Sequence, residues 1–410
     1  MKCSFCNKNY KDNQVYVGGF KQVVICPECV RLINMFPKQV NNINNDKDDI
    51  KNILTPSQIK KELDKHIIGQ DEAKRTMSVA IYNHYIRINK NSYINDNSNI
   101  EIEKSNICLL GPTGTGKTEI ARSIAKLLNV PFAIADATTL TQAGYVGEDI
   151  ESILTRVLQN CNYDIAQAEK SIIFIDEIDK IAKSSGNKSI TRDVSGEGVQ
   201  QGLLKLLEGT IAMVPPEGGR KHPEQKLIKI NTKNILFIVA GAFVGIDKII
   251  EKRLDEGQTK IAIGFNSIYN KKENINTDKE NNPDRYIQQV EPEDLIKFGM
   301  IPELIGRLPV LTHTNHLDKK ALKKILIEPE NSIIKQYKTI LSYSNCGLEF
   351  TNGALEEIVN QVYELKTGAR GIRSVLERVL NDILFEAPDK KQKDKYIYKI
   401  DKNYIIKKLK

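Results

Sequence analysis

Residues 111–118 read GPTGTGKT: a glycine, four residues, a second glycine, then lysine and threonine, the pattern of a loop that cradles phosphates. Gly111, Gly114 and Gly116 allow the tight turns that aim successive backbone amides at one anion, with Pro112, Thr113 and Thr115 between them. Lys117 would reach the β- and γ-phosphates, and the Thr118 hydroxyl offers an oxygen ligand to Mg²⁺. A second group with chemical potential is the acidic pair Asp176 and Glu177, placed directly after the apolar run IIFI. Asp176 would hold Mg²⁺ through its water shell, while Glu177 would orient the attacking water and take its proton. A third group is Cys3, Cys6, Cys26 and Cys29, two CxxC pairs suited to four thiolates around one Zn²⁺. A closed four-sulfur site leaves no open coordination position, so zinc here is structural rather than catalytic.

These residues need particular elements to present them. ICLL at 107–110 is an apolar run before the phosphate loop, and residues 119–128 repeat apolar side chains at helical spacing after it, giving strand, loop, helix. Residues 131–135, 172–175 and 235–239 read as further strands, their continuous apolar character fitting a parallel sheet covered on both faces. Around the cysteines, residues 15–16 and 23–25 read as short strands and 30–35 as the start of a helix. That is too little apolar material to fold without the metal. Residues 39–52 are rich in Asn, Asp and Lys and read as a linker. Thr55 then caps a helix over 57–63, a turn follows at Ile67, Ile68, Gly69 and Gln70, and a helix runs over 71–89. By spacing alone that turn is an ordinary interhelical connection. From residue 317 helical periodicity dominates, ending in a strand over 396–400.

Several loops stand out by composition. Gly144, Tyr145, Val146 and Gly147 place an aromatic and a β-branched residue between glycines, which fits either an exposed, hinged loop or a buried tyrosine in a turn. Arg220, Lys221 and His222 lie in a polar stretch that begins at Pro215. Residues 255–292 read as a long hydrophilic loop that nevertheless contains Ile261, Ala262, Ile263, Gly264 and Phe265. That cluster is either a surface for a partner or a short strand packed on its own domain.

The chain has 410 residues, enough for two or three domains, and a formal net charge of +8. Its basic residues are scattered among acids, which argues for a solvated surface and against a nucleic-acid patch. No leader is expected, and the longest apolar run, at 235–246, is too short to span a bilayer and contains glycines. With seven cysteines, four of them in metal spacing, a reducing cytoplasmic setting is expected.

Taken in order, the motifs resemble those of the ClpX family of AAA+ protein unfoldases, nearly end to end. CSFC and CPEC look like its zinc-binding domain, GPTGTGKT and IIFIDEID like its two Walker motifs, and GYVG like its first pore loop. RKH looks like its pore-entrance loop and IGF like its docking tripeptide for the ClpP peptidase. The resemblance implies an α/β fold: a P-loop ATPase domain with a parallel sheet over 55–316, an α-rich small domain over 317–410, a zinc-binding domain over 1–38 and a flexible linker over 39–54. It implies ATP, Mg²⁺ and structural Zn²⁺, a homohexameric ring, a ClpP-type peptidase partner, protein substrates and adaptors, and a zinc domain that dimerises. It further implies that Ile67 and Ile68 line the adenine pocket, that Arg307 is an arginine finger acting on a neighbouring subunit, and that Arg370 is the sensor-2 arginine. Tyr145, Val146, Arg220, Lys221 and His222 would touch substrate. Two departures stand out: Ala240, Gly241, Ala242 and Phe243 occupy a place where the family usually has two glycines, and IGF is followed by Asn266 and Ser267. The contrasting reading is a nucleic-acid motor with a zinc ribbon, which the scattered charge and the acidic Glu148 and Asp149 beside Tyr145 disfavour.

Overall fold

The computed structural model describes residues 3, 6, 17–18, 24–26, 29, 54–92, 102–141, 148–183, 196–216, 227–262, 284–389 and 396–409. Two compact units are present, Met1–Ile53 and Leu54–Lys410. In the first, the strands β1 (Val17–Gly18) and β2 (Val24–Ile25) pair antiparallel. The expected helix over 30–35 lies outside the described residues.

In the second unit, the strands β3 (Ile107–Leu110), β4 (Phe132–Asp136), β7 (Ile172–Asp176), β10 (Leu236–Gly241) and β11 (Val310–His313) form one parallel sheet in the order β11-β3-β10-β7-β4. Two-stranded ribbons flank it: β5 (Leu140–Thr141) with β6 (Glu148–Asp149), and β8 (Ile211–Val214) with β9 (Ile228–Asn231). Alternation along each sheet strand splits the core in two. Ile107, Leu109, Ile172, Phe174, Leu236 and Ile238 join Ile59, Met77 and Ile120 on one face. Cys108, Leu110, Ile173, Ile175, Phe237 and Val239 join Leu154, Leu203 and Leu304 on the other. Burial on both faces is why these strands carry no polar alternation.

Thr55 caps the helix Pro56–His66 through a capping box with Gln58, as its sequence position predicts. The helix Ile246–Ala262 corrects the loop expected over 255–292: residues 255–262 continue a helix begun by the repeat of Ile246, Ile250 and Leu254 on its packed side. A third core, from Leu322 to Ile405, belongs to the C-terminal lobe and unites the helices Lys319–Ile327, Ile333–Ser342, Asn352–Glu364 and Arg370–Glu386. The strand β13 (Tyr396–Ile400) pairs in parallel with β12 (Cys346–Phe350), a strand that helical periodicity concealed, and a final helix Lys402–Leu409 follows it.

Candidate nucleotide cleft and metal cluster

Parallel pairing carries the chemistry to one edge of the sheet. β3, β7 and β10 run the same way, with Val239 level with both Cys108 and Ile175, so the phosphate loop, Asp176 and Gly241 emerge together. The phosphate loop leads into the helix Lys117–Leu127, whose N-terminal amides and dipole favour an anion. Thr118 Oγ1 donates to Asp176 Oδ2 at 3.2 Å, bringing two hard oxygen ligands together as a Mg²⁺ site requires. Glu177 is exposed and left-handed, at φ 58°. That conformation is costly for a residue with a side chain, and here it turns the carboxylate out of the strand direction into the cleft.

Lys117 is buried, and its ammonium donates to the carbonyls of Gly111 at 2.6 Å and Pro112 at 2.8 Å. Burial pulls its pKa down to about 8, against the opposing pull of Asp176. Bound phosphates would favour the charged form and raise it again. Thr115 is buried and donates to the Pro112 carbonyl.

The cleft, of about 570 Å³, lies between the lobes: Thr113, Lys117, Asp176 and Glu177 come from the sheet lobe, and Ile333, Ala369, Arg370 and Arg373 from the C-terminal lobe. The two lobes meet backbone to backbone. The Ala369 N–H donates to the Gly114 carbonyl at 2.9 Å, and a Cβ on Gly114 or Gly368 would overlap the opposite chain.

Not every expected residue converges. Ile67 is buried and Ile68 half-buried in the turn before the helix Asp71–Ser92, but neither lines this cleft. Arg307 follows the helix Pro302–Gly306 and does not line its own cleft, pairing instead with Glu208 at 3.1 Å. Tyr145, Val146, Arg220, Lys221, His222, Ile263, Gly264 and Phe265 lie outside the described residues.

Other residues enter the site unannounced. Asp179 lines the cleft, and its Oδ1 accepts the Ala242 N–H at 3.1 Å, joining the end of β7 to the end of β10. This contact accounts for the glycine in AGAF: a Cβ at Gly241 would strike both Asp179 and the Phe243 ring. Phe243 is itself left-handed, at φ 48°, and buried edge-on against Phe298. Arg373 is reached one helical turn after Arg370, a spacing that could have singled it out.

In the first unit the sulfurs of Cys3, Cys6, Cys26 and Cys29 all lie within 4.8 Å of one another. Cys6 and Cys26 are 3.8 Å apart, and the Cys26 N–H donates to Cys3 Sγ at 3.3 Å. Zn–S bonds of about 2.3 Å imply sulfur separations of about 3.8 Å in a tetrahedron, so the four thiols fit the ion. Burial, followed by the neighbouring sulfurs, pushes the Cys29 thiol up to about 12, a cost that a bound cation would reverse.

A five-stranded parallel sheet with a phosphate loop, an acidic strand end and a helical lobe that closes over the cleft defines an AAA+ ATPase. Residues 102–311 match the AAA domain (Cdc48 subfamily), residues 317–398 the C-terminal, D2-small domain, of ClpB protein, and residues 1–36 the ClpX C4-type zinc finger. The chain is 51% identical over 395 residues to the ATP-dependent Clp protease ATP-binding subunit ClpX of Treponema denticola, covering 96% of this chain and 92% of that protein. It is 50% identical over 396 residues to the protein of that name from Borrelia duttonii, covering 96% and 89%. With the one from Bacteroides thetaiotaomicron it shares 49% over 413 residues, covering 100% and 95%. This chain belongs to the ClpX family. Among the described residues, no helix is long and apolar enough to cross a membrane.

Proposed function

We propose that this chain is the ATP-hydrolysing unfoldase subunit of a Clp-type protease, acting in the cytoplasm as a homohexameric ring that pulls protein substrates through its pore toward a ClpP-type peptidase. The observation that carries this reading is the cleft between two lobes. Lys117, Asp176 and Glu177 stand on one wall and Arg370 on the other, so the state of the nucleotide can alter how the lobes sit. In this reading Lys117 holds the phosphates, Thr118 and Asp176 hold Mg²⁺, which would offset phosphate charge, and Glu177 takes the proton of the attacking water. Arg370 senses the nucleotide from the small lobe. Arg307, which does not line its own cleft, acts on a neighbour's, and a closed ring gives every site such a neighbour. Ile67 and Ile68 border the adenine, Tyr145 and Val146 grip the translocating chain, and Arg220, Lys221 and His222 admit it. Ile263, Gly264 and Phe265 dock the peptidase. Residues 1–38 form a zinc-held module that dimerises and receives adaptors, residues 39–54 link it to the ATPase domain over 55–316, and residues 317–410 form the small domain.

The experiment is ATP turnover measured with and without an unfolded protein, for the native chain and for Glu177→Gln. The native rate should rise with unfolded protein. The variant should bind ATP but turn it over at least about 100-fold more slowly, because an amide can orient water but cannot take its proton. Near-native turnover by the variant would remove the catalytic assignment, and stimulation by DNA instead of protein would favour the nucleic-acid motor.

A further inference from the structure

The chain crosses between the lobes once, where it leaves β11 at His313 and enters the helix Lys319–Ile327. The crossing is gripped from two sides. Gln70 is buried and left-handed, at φ 58°, and its carboxamide pairs with the Asn315 backbone as another peptide group would. Its Oε1 accepts the Asn315 N–H at 2.7 Å, and its Nε2 donates to the Asn315 carbonyl at 2.9 Å. The same Nε2 also donates to the Thr115 carbonyl, inside the phosphate loop, at 3.4 Å. Beside it, the Thr115 and Thr314 hydroxyls are 2.7 Å apart, and the Thr314 N–H donates to the Leu110 carbonyl at 2.8 Å. On the other side, Asp284 accepts the His316 N–H at 3.0 Å and meets its Nδ1 at 2.7 Å.

One side chain therefore joins three segments far apart in sequence: the turn after Ile68, the phosphate loop and the lobe crossing. An amide has one oxygen and two N–H donors, and Gln70 commits all of them here. Rotation of the crossing must either carry the Thr115 carbonyl with it or leave buried polar groups unpaired, and unpaired buried groups are what a fold avoids. We propose that Gln70 is a positioning residue that links the shape of the phosphate loop to the angle between the lobes, so that ATP affinity and lobe orientation report on each other. The inference rests on ATP binding in the cleft. By reciprocity, a nucleotide that prefers one loop geometry shifts the lobes, and a lobe angle imposed from elsewhere shifts nucleotide affinity by the same factor.

The test uses the full-length chain with a fluorophore pair at the exposed positions Lys126 and Tyr343, one on each lobe. ATP affinity is measured by calorimetry, and KM and kcat are measured on the same preparation. In Gln70→Ala, ATP affinity should fall about tenfold and the ATP-induced change in energy transfer should shrink by about half or more, in the usual range of coupling between sites. Because the chemical groups are untouched, kcat at saturation should stay within about threefold. Gln70→Met serves if the alanine variant fails to fold: it keeps the length and fills the same space but makes none of the three hydrogen bonds, and it should show the same changes. Native ATP affinity and a native lobe response in either folded variant would overturn the proposal. Failure of the unsubstituted chain to bind ATP would instead overturn the reading of the cleft.

Discussion

In the four-cysteine cluster every ligand comes from residues between Cys3 and Cys29, whereas the nucleotide cleft draws on positions from Thr113 to Arg373. The first is complete within a short local stretch and supplies the only hydrophobic cluster among the described residues of that stretch. The second exists because three hydrophobic cores already hold a sheet edge and a helical lobe face to face. A metal that makes its own fold can be lost only with that fold. A nucleotide that enters a prebuilt cleft can leave and return, as a motor requires.

Three experiments would break or sharpen that contrast. The largest effect is expected from chelation. Structural zinc contributes about 10–16 kcal/mol to such modules, so its removal should unfold residues 1–38, while a chain starting near Thr55 keeps its ATP turnover. Circular dichroism of the isolated module, set beside ATPase of the full chain under a zinc-selective chelator with Mg²⁺ in excess, reads both halves; loss of turnover on zinc removal would mean that the two regions are not independent. Next comes Arg307→Ala. Its exposed pair with Glu208 is worth less than about 1 kcal/mol, so stability and ATP affinity should scarcely change. Turnover by the assembled ring should drop about 1,000-fold if the guanidinium completes a neighbour's cleft, and mixing with Glu177→Gln subunits should restore part of it, because such a subunit lends its intact Arg307 to the intact Glu177 site of an Arg307→Ala neighbour. Undiminished turnover would show that the cleft, like the zinc cluster, is complete within one chain.

The smallest effect is on pH dependence. Lys117 is held down at about 8, so ATP affinity should weaken as pH rises through that value, by up to about tenfold per unit. Its effect on stability has the opposite sign. Between about 8 and the ordinary lysine value of 10.5 the unfolded chain binds more protons than the folded one, so this group makes folding more favourable as pH rises. Calorimetric titration at several pH values, with Lys117→Met as the reference for other titrating groups, separates the two. An ATP affinity that stayed flat above pH 8 in the native chain would remove Lys117 as the titrating contact.

How much of this could be read beforehand depends on how local each signal is. The phosphate loop, the acidic strand end and the cysteine pairs are short patterns whose chemistry dictates their spacing, and the sheet strands announce themselves by being apolar throughout. Gln70 gave no such signal, because its partner Asn315 is 245 positions away and a glutamine after a glycine looks like any turn. β12 was hidden since CGLEF is short and set among helices, and it becomes a strand only when β13 returns beside it. The helix through residue 262 is hidden for the converse reason: the sequence from Asp255 onward is so polar that composition alone reads as loop. Ile67 and Ile68 could be located, but their relation to the nucleotide came from resemblance and not from their spacing.

Where the lobes touch at Gly114 and Gly368, no side chain is involved on either side. Most joints between moving parts can be retuned by exchanging one residue for a slightly larger or more polar one. Here any added carbon collides with backbone, so the joint has no intermediate settings and substitution can only pry it open. Adaptation of this machine to harder or softer substrates must therefore proceed through residues around that contact, such as Thr367, Ala369 and Gln70, and an engineer seeking a faster or stiffer variant should leave the two glycines alone.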